Sequence, residues 1–229
     1  MCEFKVEFML ERMSDFFEAR LSGYDEHMLK NIDGAEDFYP FTAGLLPLTE
    51  NASVLDLGCG TGIELEYYFR INPTASVTGI DLSSGMLGEL SRKLFGKKFT
   101  LICGSYFDTP LGESAFDAAV SVESLHHFTM EEKIPLYKRL KESLKDGGYF
   151  ILTDYFALSD EEEKRFRADY KKLLAQEKAP GTEIYHYDTP LTVENEISAL
   201  VSAGFSSVNV LNSWGATHTI KATKNKQDF

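Results

Sequence analysis

Cysteine is scarce in this chain: Cys2, Cys59 and Cys103 make an odd count with no Cys-x-x-Cys pair. That excludes a disulfide scaffold as the organising principle and suits a reducing compartment. No apolar run approaches the roughly 20 residues that cross a bilayer, and the first residues, Met1 to Met13, alternate charge with apolar side chains instead of forming a signal-peptide core. A soluble, cytoplasmic protein with no membrane partner is expected. Dense Lys/Arg runs are missing as well, and 23 basic against 36 acidic residues leave a formal net charge of −13. Such a surface repels phosphate backbones, so no nucleic-acid partner is expected. Internal repeats, low-complexity tracts and a separate linker are also absent. The 229 residues are too few for two full domains and ample for one elaborated α/β domain.

What the chain does have is alternation. Residues 3–20 carry Val6, Met9, Leu10, Met13 and Phe17 at helical spacing. A loop is expected over 21–33, then a helix from the capping-box pair Asp33 and Glu36, kinked or shortened by Pro40. Beyond it the pattern predicts strands over 52–57, 76–80, 99–103, 116–122 and 149–153. Helices over 61–70 and 83–94 and one from Thr129 and Glu132 to Asp146-Gly147-Gly148 separate them. Apolar strands interleaved with helices imply a parallel sheet covered on both faces. The tail departs from that rule: a helix over 159–176, a long loop over 178–191, a helix over 192–203 closed by Gly204, and strands over 205–211 and 217–223 joined by 212–216. A loop of that length is a functional candidate.

The alternation is organised around Val54-Leu55-Asp56-Leu57-Gly58-Cys59-Gly60-Thr61-Gly62. Glycines at alternate positions let a strand turn sharply into a helix, whose free N–H groups face the turn. An acid closing the second strand, Asp81, is placed to take ribose hydroxyls. A dinucleotide site would space its glycines G-x-G-x-x-G around a pyrophosphate. Here Asp56 precedes the first glycine, where it would repel a pyrophosphate and attract an ammonium.

These residues resemble the class I S-adenosylmethionine-dependent methyltransferases. Val54 to Gly62 matches their first motif and Gly79-Ile80-Asp81-Leu82-Ser83 the second. The stretch from Ser114-Ala115-Phe116-Asp117 to Leu125-His126-His127-Phe128 resembles the fourth-strand motif of small-molecule and quinone-biosynthesis members, and Leu144-Lys145-Asp146-Gly147-Gly148 the element before strand five. The resemblance covers about residues 50–223 and implies a Rossmann-like, seven-stranded, mostly parallel sheet, order 3-2-1-4-5-7-6, last strand antiparallel, under a helical cap. Four segments are expected: a cap over 1–50, a cofactor core over 51–154, an inserted helix and lid over 155–191, and a closing helix and hairpin over 192–229. It further implies S-adenosyl-L-methionine as cofactor. Asp56, Gly58 and Gly60 would lie along its methionine part, with Asp81 on the ribose and Leu82 and Met86 by the adenine. Glu123 and Ser124 would line the reactive end. Tyr24 matches a tyrosine that closes over the cofactor. Where the family often has Gly-Asp after strand three, this chain has Gly104-Ser105 and then Tyr106, so Ser105 or Asp108 would meet the adenine amino group. Cys59, inside the motif, is a small filler and not a nucleophile.

For the acceptor, candidates are His126, His127, Asp154, His186 and Asp188, with His27 and Tyr155 as further possibilities. Phe16, Phe17, Tyr39, Phe156 and Tyr185 are available to roof an apolar or planar acceptor. A metal held by His27, His126 or His127, His186 and Asp188 is conceivable, yet no HxH or HxxxH spacing supports it and none is expected. Two functions stay open: in-line methyl transfer to a small molecule, or cofactor binding without catalysis, as a sensor or assembly subunit. The acceptor and the oligomeric state, a homodimer included, are not read from the sequence.

Overall fold

The computed structural model describes residues 10–181 and 183–225. Strands β1 (Ser53–Leu57), β2 (Ser76–Asp81), β3 (Lys98–Cys103), β4 (Phe116–Val122), β5 (Leu144–Tyr155), β6 (Ser207–Trp214) and β7 (Thr217–Thr223) form one sheet in the order β3-β2-β1-β4-β5-β7-β6. The first five pair in parallel, and β7 enters antiparallel between β5 and β6. This is the expected order and sense.

Alternate side chains on each strand feed two cores. Leu55, Leu57, Ala119, Phe150 and Leu152 pack with Leu136, Tyr137 and Leu140 of α6 (Met130–Ser143) and with Ala199 and Leu200 of α8 (Val193–Ser202). Val54, Ala118, Val120 and Ile151 point the other way, onto α3 (Ala35–Gly44), α4 (Ile63–Ile71) and α5 (Ser84–Lys93). Burial on both faces is why these strands read as continuous apolar runs. The caps follow the sequence too: Ser83, Ser159 and Thr192 each accept a backbone N–H at their helix starts, and Thr129 with Glu132 closes a capping box. Lys133 meets Glu196 at 2.6 Å with both side chains buried, tying α6 to α8.

Five local expectations are corrected. The loop predicted over 21–33 contains a helix, α2 (Tyr24–Asn31). Gly23 at φ +83° turns the chain after α1 (Met13–Arg20), and Asp25 and Glu26 then sit in the first turn of α2, favourably to its dipole. Of the helix predicted over 3–20, residues 10–12 are not helical, Arg12 pairing with Tyr185 in an isolated bridge, and α1 begins at Met13; residues 3–9, Val6 and Met9 included, lie outside the described residues. Asp33 does not cap α3, since Gly34 at φ +77° holds that place without a side-chain bond, and the helix runs past Pro40 to Gly44. Strand β5 already begins at Leu144, so the helix before it ends ahead of Asp146. The terminal hairpin turns on Gly215 and Ala216 alone, Gly215 taking φ +58°, so β6 is longer than expected.

Candidate active site

The turn between β1 and α4 carries Gly58, Gly60 and Gly62 at φ +75°, +47° and +75°, a region where L side chains are strained. Gly58 has a second constraint: a Cβ there would stand 2.0 Å from Ser124 Oγ. The turn is stitched to β2 by Gly58 N–H donating to the Ile80 carbonyl at 2.8 Å. Gly60 N–H donates to Asp81 Oδ2 at 2.9 Å, and Ser83 N–H to Asp81 Oδ1 at 2.8 Å. A carboxylate accepts about four bonds, so Asp81 keeps acceptor capacity for a ligand. Burial raises its pKa while these N–H groups pull it back.

A cavity opens against this turn. Eight of the residues expected to bind cofactor line it: Tyr24, Gly58, Gly60, Asp81, Leu82, Met86, Tyr106 and Glu123. Ser124 joins them, its Oγ 3.2 Å from the Tyr106 hydroxyl. Met13 and Phe17 of α1 close the opposite wall. Helices α1 and α2 are held there by acids: Glu18 accepts from Ser83 Oγ at 2.7 Å and Gly85 N–H at 3.0 Å, and Asp25 meets Lys93 at 2.6 Å. The cavity thus offers backbone and carboxylate acceptors beside apolar walls, which fits a nucleoside-bearing ligand.

Three expected residues stand elsewhere. Asp56 lies on the α4 side of β1, 1% exposed and outside the cavity lining, beside the equally buried Glu64. Neither Asp56 oxygen nor Glu64 Oε1 has a hydrogen-bond partner. Burial and the neighbouring Glu64 push the Asp56 carboxyl well above the usual range. Cys59 turns away and packs on Gly79, where an added Cβ would come within 2.7 Å of its sulfur; burial and the surrounding acids push its thiol up, so it is an inert filler. Ser105 Oγ accepts the Phe107 N–H at 3.1 Å within its own turn.

A larger cavity of about 930 Å³ lies beyond, lined by Phe16, His27, His126, Tyr155, His186, Asp188 and Trp214 among others. It shares Phe17, Tyr24, Glu123 and His127 with the first. Glu123, the first residue after β4, takes φ +48°, strain that a residue without glycine's freedom bears at few places. Burial and the Asp154 carboxylate push its pKa up to about 8. Of the five acceptor-side candidates, His126, His127, His186 and Asp188 line this cavity and Asp154 does not. Asp154 is 1% exposed; its Oδ1 meets His126 Nδ1 at 2.6 Å and its Oδ2 accepts the Leu125 N–H at 2.9 Å. It orients His126 from behind.

The electrostatics divide the histidines. Burial would lower His126, but Asp154, Asp188 and Glu123 raise it to about 9. Burial and the neighbouring His126 lower His127. Burial with His127 takes His186 down to about 4, and that ring stacks on Phe16 at 3.4 Å between centroids. Asp188, despite burial, lies well below the usual carboxylate range because His127 bonds to it and the histidines surround it. Ligating atoms of His126, His127 and Asp188 all come within 4.8 Å of one another, as do those of Glu123, His126 and Asp154.

His27 faces the larger cavity but its Nδ1 is 2.9 Å from the Asn31 amide, apart from this cluster. Tyr39, Phe156 and Tyr185 are core residues and do not roof the site; Phe16 and Phe17 do. Among the lining residues unforeseen in sequence are Met13 and Trp214. Met13 read as part of a helical stripe, and Trp214 reaches the site only because the hairpin folds back beside α3.

A family model described as a methyltransferase domain matches residues 54–148. The chain is 32% identical to an uncharacterised methyltransferase of Synechocystis sp., over 54% of this chain and 57% of that protein. It is 24% identical to the carboxy-S-adenosyl-L-methionine synthase of Nautilia profundicola over 94% of this chain and 96% of that one. Among solved structures, human N-acetylserotonin methyltransferase in complex with S-adenosylmethionine has the same fold, with TM-score 0.62 and 18% identity, covering 92% of this chain and 55% of that one. The chain therefore spans little more than half the length of the Synechocystis and human proteins.

Proposed function

We propose that the chain, which carries a methyltransferase domain over residues 54–148, is a class I S-adenosylmethionine-dependent methyltransferase that moves the cofactor's methyl group onto a small molecule held in the larger cavity. The supporting observation is the shared wall: the two cavities meet at Phe17, Tyr24, Glu123 and His127, where donor and acceptor would have to meet. When bound, S-adenosylmethionine supplies a methyl group made electrophilic by its sulfonium and open to in-line displacement. Gly58 and Gly60 would hold it through the turn, Asp81 at the ribose, and Leu82 and Met86 at the adenine.

The chain's own task is alignment and exclusion of water. Phe17 and Tyr24 cover the junction from the N-terminal helices. His126, His127, His186 and Asp188 supply polar contacts to the acceptor, and Asp154 fixes the ring of His126. In the same reading residues 1–50 are the cap, 51–154 the cofactor core, 155–191 the inserted helix and lid, and 192–229 the closing helix and hairpin, working in the reducing cytosol. The lid segment is anchored to the cap by Met13 N–H on the Ile184 carbonyl at 2.9 Å and His186 N–H on the Glu11 carbonyl at 3.0 Å. A cavity of about 930 Å³ beside the donor site favours this reading over a cofactor sensor. The test is incubation with methyl-labelled cofactor and a panel of phenols, thiols, amines and small acids. Transfer to one class is expected; tight cofactor binding with no transfer to any would favour the sensor.

A further inference from the structure

We propose that His126, His127 and Asp188 form a binding site for a divalent transition-metal ion at the acceptor end of the larger cavity. Asp188 Oδ1 stands 3.1 Å from His127 Nδ1 and 3.6 Å from His126 Nε2. An ion held at roughly 2.0–2.2 Å by nitrogen and oxygen ligands sets neighbouring ligand atoms about 2.8–3.6 Å apart. Both separations fall in that range. Hydrogen bonding accounts for only one of them, since 3.6 Å is too long for an N–H···O bond.

The surroundings are those of a ligating histidine. Asp154 takes Nδ1 of His126 at 2.6 Å and leaves Nε2 for the site. Asp154 is in turn held by the N–H groups of Leu125 and Tyr155. A carboxylate behind a metal-bound imidazole fixes its tautomer and direction. The two loops that bring the ligands together are tied by Thr189 N–H donating to the His126 carbonyl at 2.9 Å. Asp154 and Asp188 form ion pairs with histidines only, among the described residues, so no Lys or Arg neutralises them. A bound dication would.

Two imidazoles and one carboxylate suit zinc, iron or cobalt better than magnesium or calcium, and three protein ligands leave positions open. His127 lines both cavities, so an acceptor ligating the ion through oxygen or sulfur would lie next to the donor site. The ion would favour the deprotonated form of such a group, its proton leaving to solvent. That role in the reaction rests on the methyl-transfer reading; metal binding does not. The competing arrangement keeps a proton on His127 Nδ1, shared between Asp188 and the Tyr187 carbonyl 3.3 Å away.

The experiment is titration of the chelator-stripped full-length protein with Co²⁺, followed by visible absorption and calorimetry, then displacement by Zn²⁺. Binding of one ion with visible ligand-field bands is expected. Asp188→Asn should weaken Co²⁺ binding at least ~100-fold and Asp154→Asn by ~10–100-fold, while His218→Ala, outside the cluster, leaves it unchanged. Binding of the demethylated cofactor by each variant shows that it is folded. No bands and no heat from wild-type protein that still binds this cofactor product, or an Asp188→Asn titration matching wild type, overturns the metal site. Methyl transfer persisting in excess chelator overturns its part in the reaction and leaves the methyltransferase reading standing. Metal bound with no acceptor methylated does the reverse.

Discussion

The two cavities are built in different ways. The donor cavity is floored by short motifs, the turn at Gly58 and Gly60 and the stretch from Asp81 at the end of β2 to Met86 in α5, and is closed by Tyr106, residues 122–127 and the N-terminal helices. Its floor is set by positive-φ glycines and by backbone N–H groups that hold Asp81 in place, features that short motifs specify. The acceptor cavity draws on five distant segments: the N-terminal helices α1 and α2, the turn from Glu123 to His127, Tyr155 at the end of β5, the loop over 178–191, and the hairpin with Trp214 and Thr217. Its contacts are side chains brought together by tertiary packing. The first is a site specified by backbone geometry; the second can change its chemistry by changing loops.

Substitutions can break this contrast or sharpen it. Gly58→Ala should have the largest effect, because it adds left-handed strain of about 1–2 kcal/mol to a Cβ placed 2.0 Å from Ser124 Oγ. Cofactor affinity measured by calorimetry should fall at least ~10-fold, and an unchanged value would show that the turn does not bear on the ligand. Asp81→Ala should weaken the same binding by ~1–3 kcal/mol through loss of a charge-assisted contact. Unaltered affinity would place the ribose elsewhere.

On the acceptor side, His186→Ala removes the ring stacked on Phe16, an interaction of about 0.5–1.5 kcal/mol. Acceptor KM should rise up to ~10-fold while cofactor affinity holds, and a parallel loss of both would mean the cavities are not separable.

The smallest effect concerns Asp56. Its folded pKa is raised above the unfolded value, so its favourable proton uptake is complete at low pH and is lost as pH rises through the folded pKa. Asp56→Asn should therefore raise Tm at pH 8 by ~2–4 °C, about 1 kcal/mol in a chain of this size, and do little near pH 4. A cofactor-free Tm that falls at pH 8 would show that the carboxylate has a partner there.

Legibility tracked locality. The strand order was readable, and eight of the eleven residues named for the cofactor line one cavity, because turn chemistry and apolar runs are short-range properties. Asp56 was misplaced because strand alternation sends its side chain to the α4 face, where Glu64 also lies, and a motif does not report facing. Helix α2 was missed because its stretch from Tyr24 to His27 is polar and follows Gly23; its one buried residue, Met28, gives a weak stripe. His126, His127, His186 and Asp188 were readable as candidates, but their mutual distances were not. His127 and Asp188 are 61 positions apart, and the 3.1 Å between them depends on how the long loop lies over the 3-10 turn at Leu125–His127.

Composition and short-range patterning thus sufficed for the sheet, the glycine turn and the cofactor class, since backbone sterics and strand burial depend on neighbours a few positions away. The shape of the acceptor cavity, the burial of Asp56 with Glu64, and the convergence of two histidines on Asp188 came only with the folded chain. Each joins residues from separate elements, and sequence spacing carries no measure of distance once the chain turns back on itself.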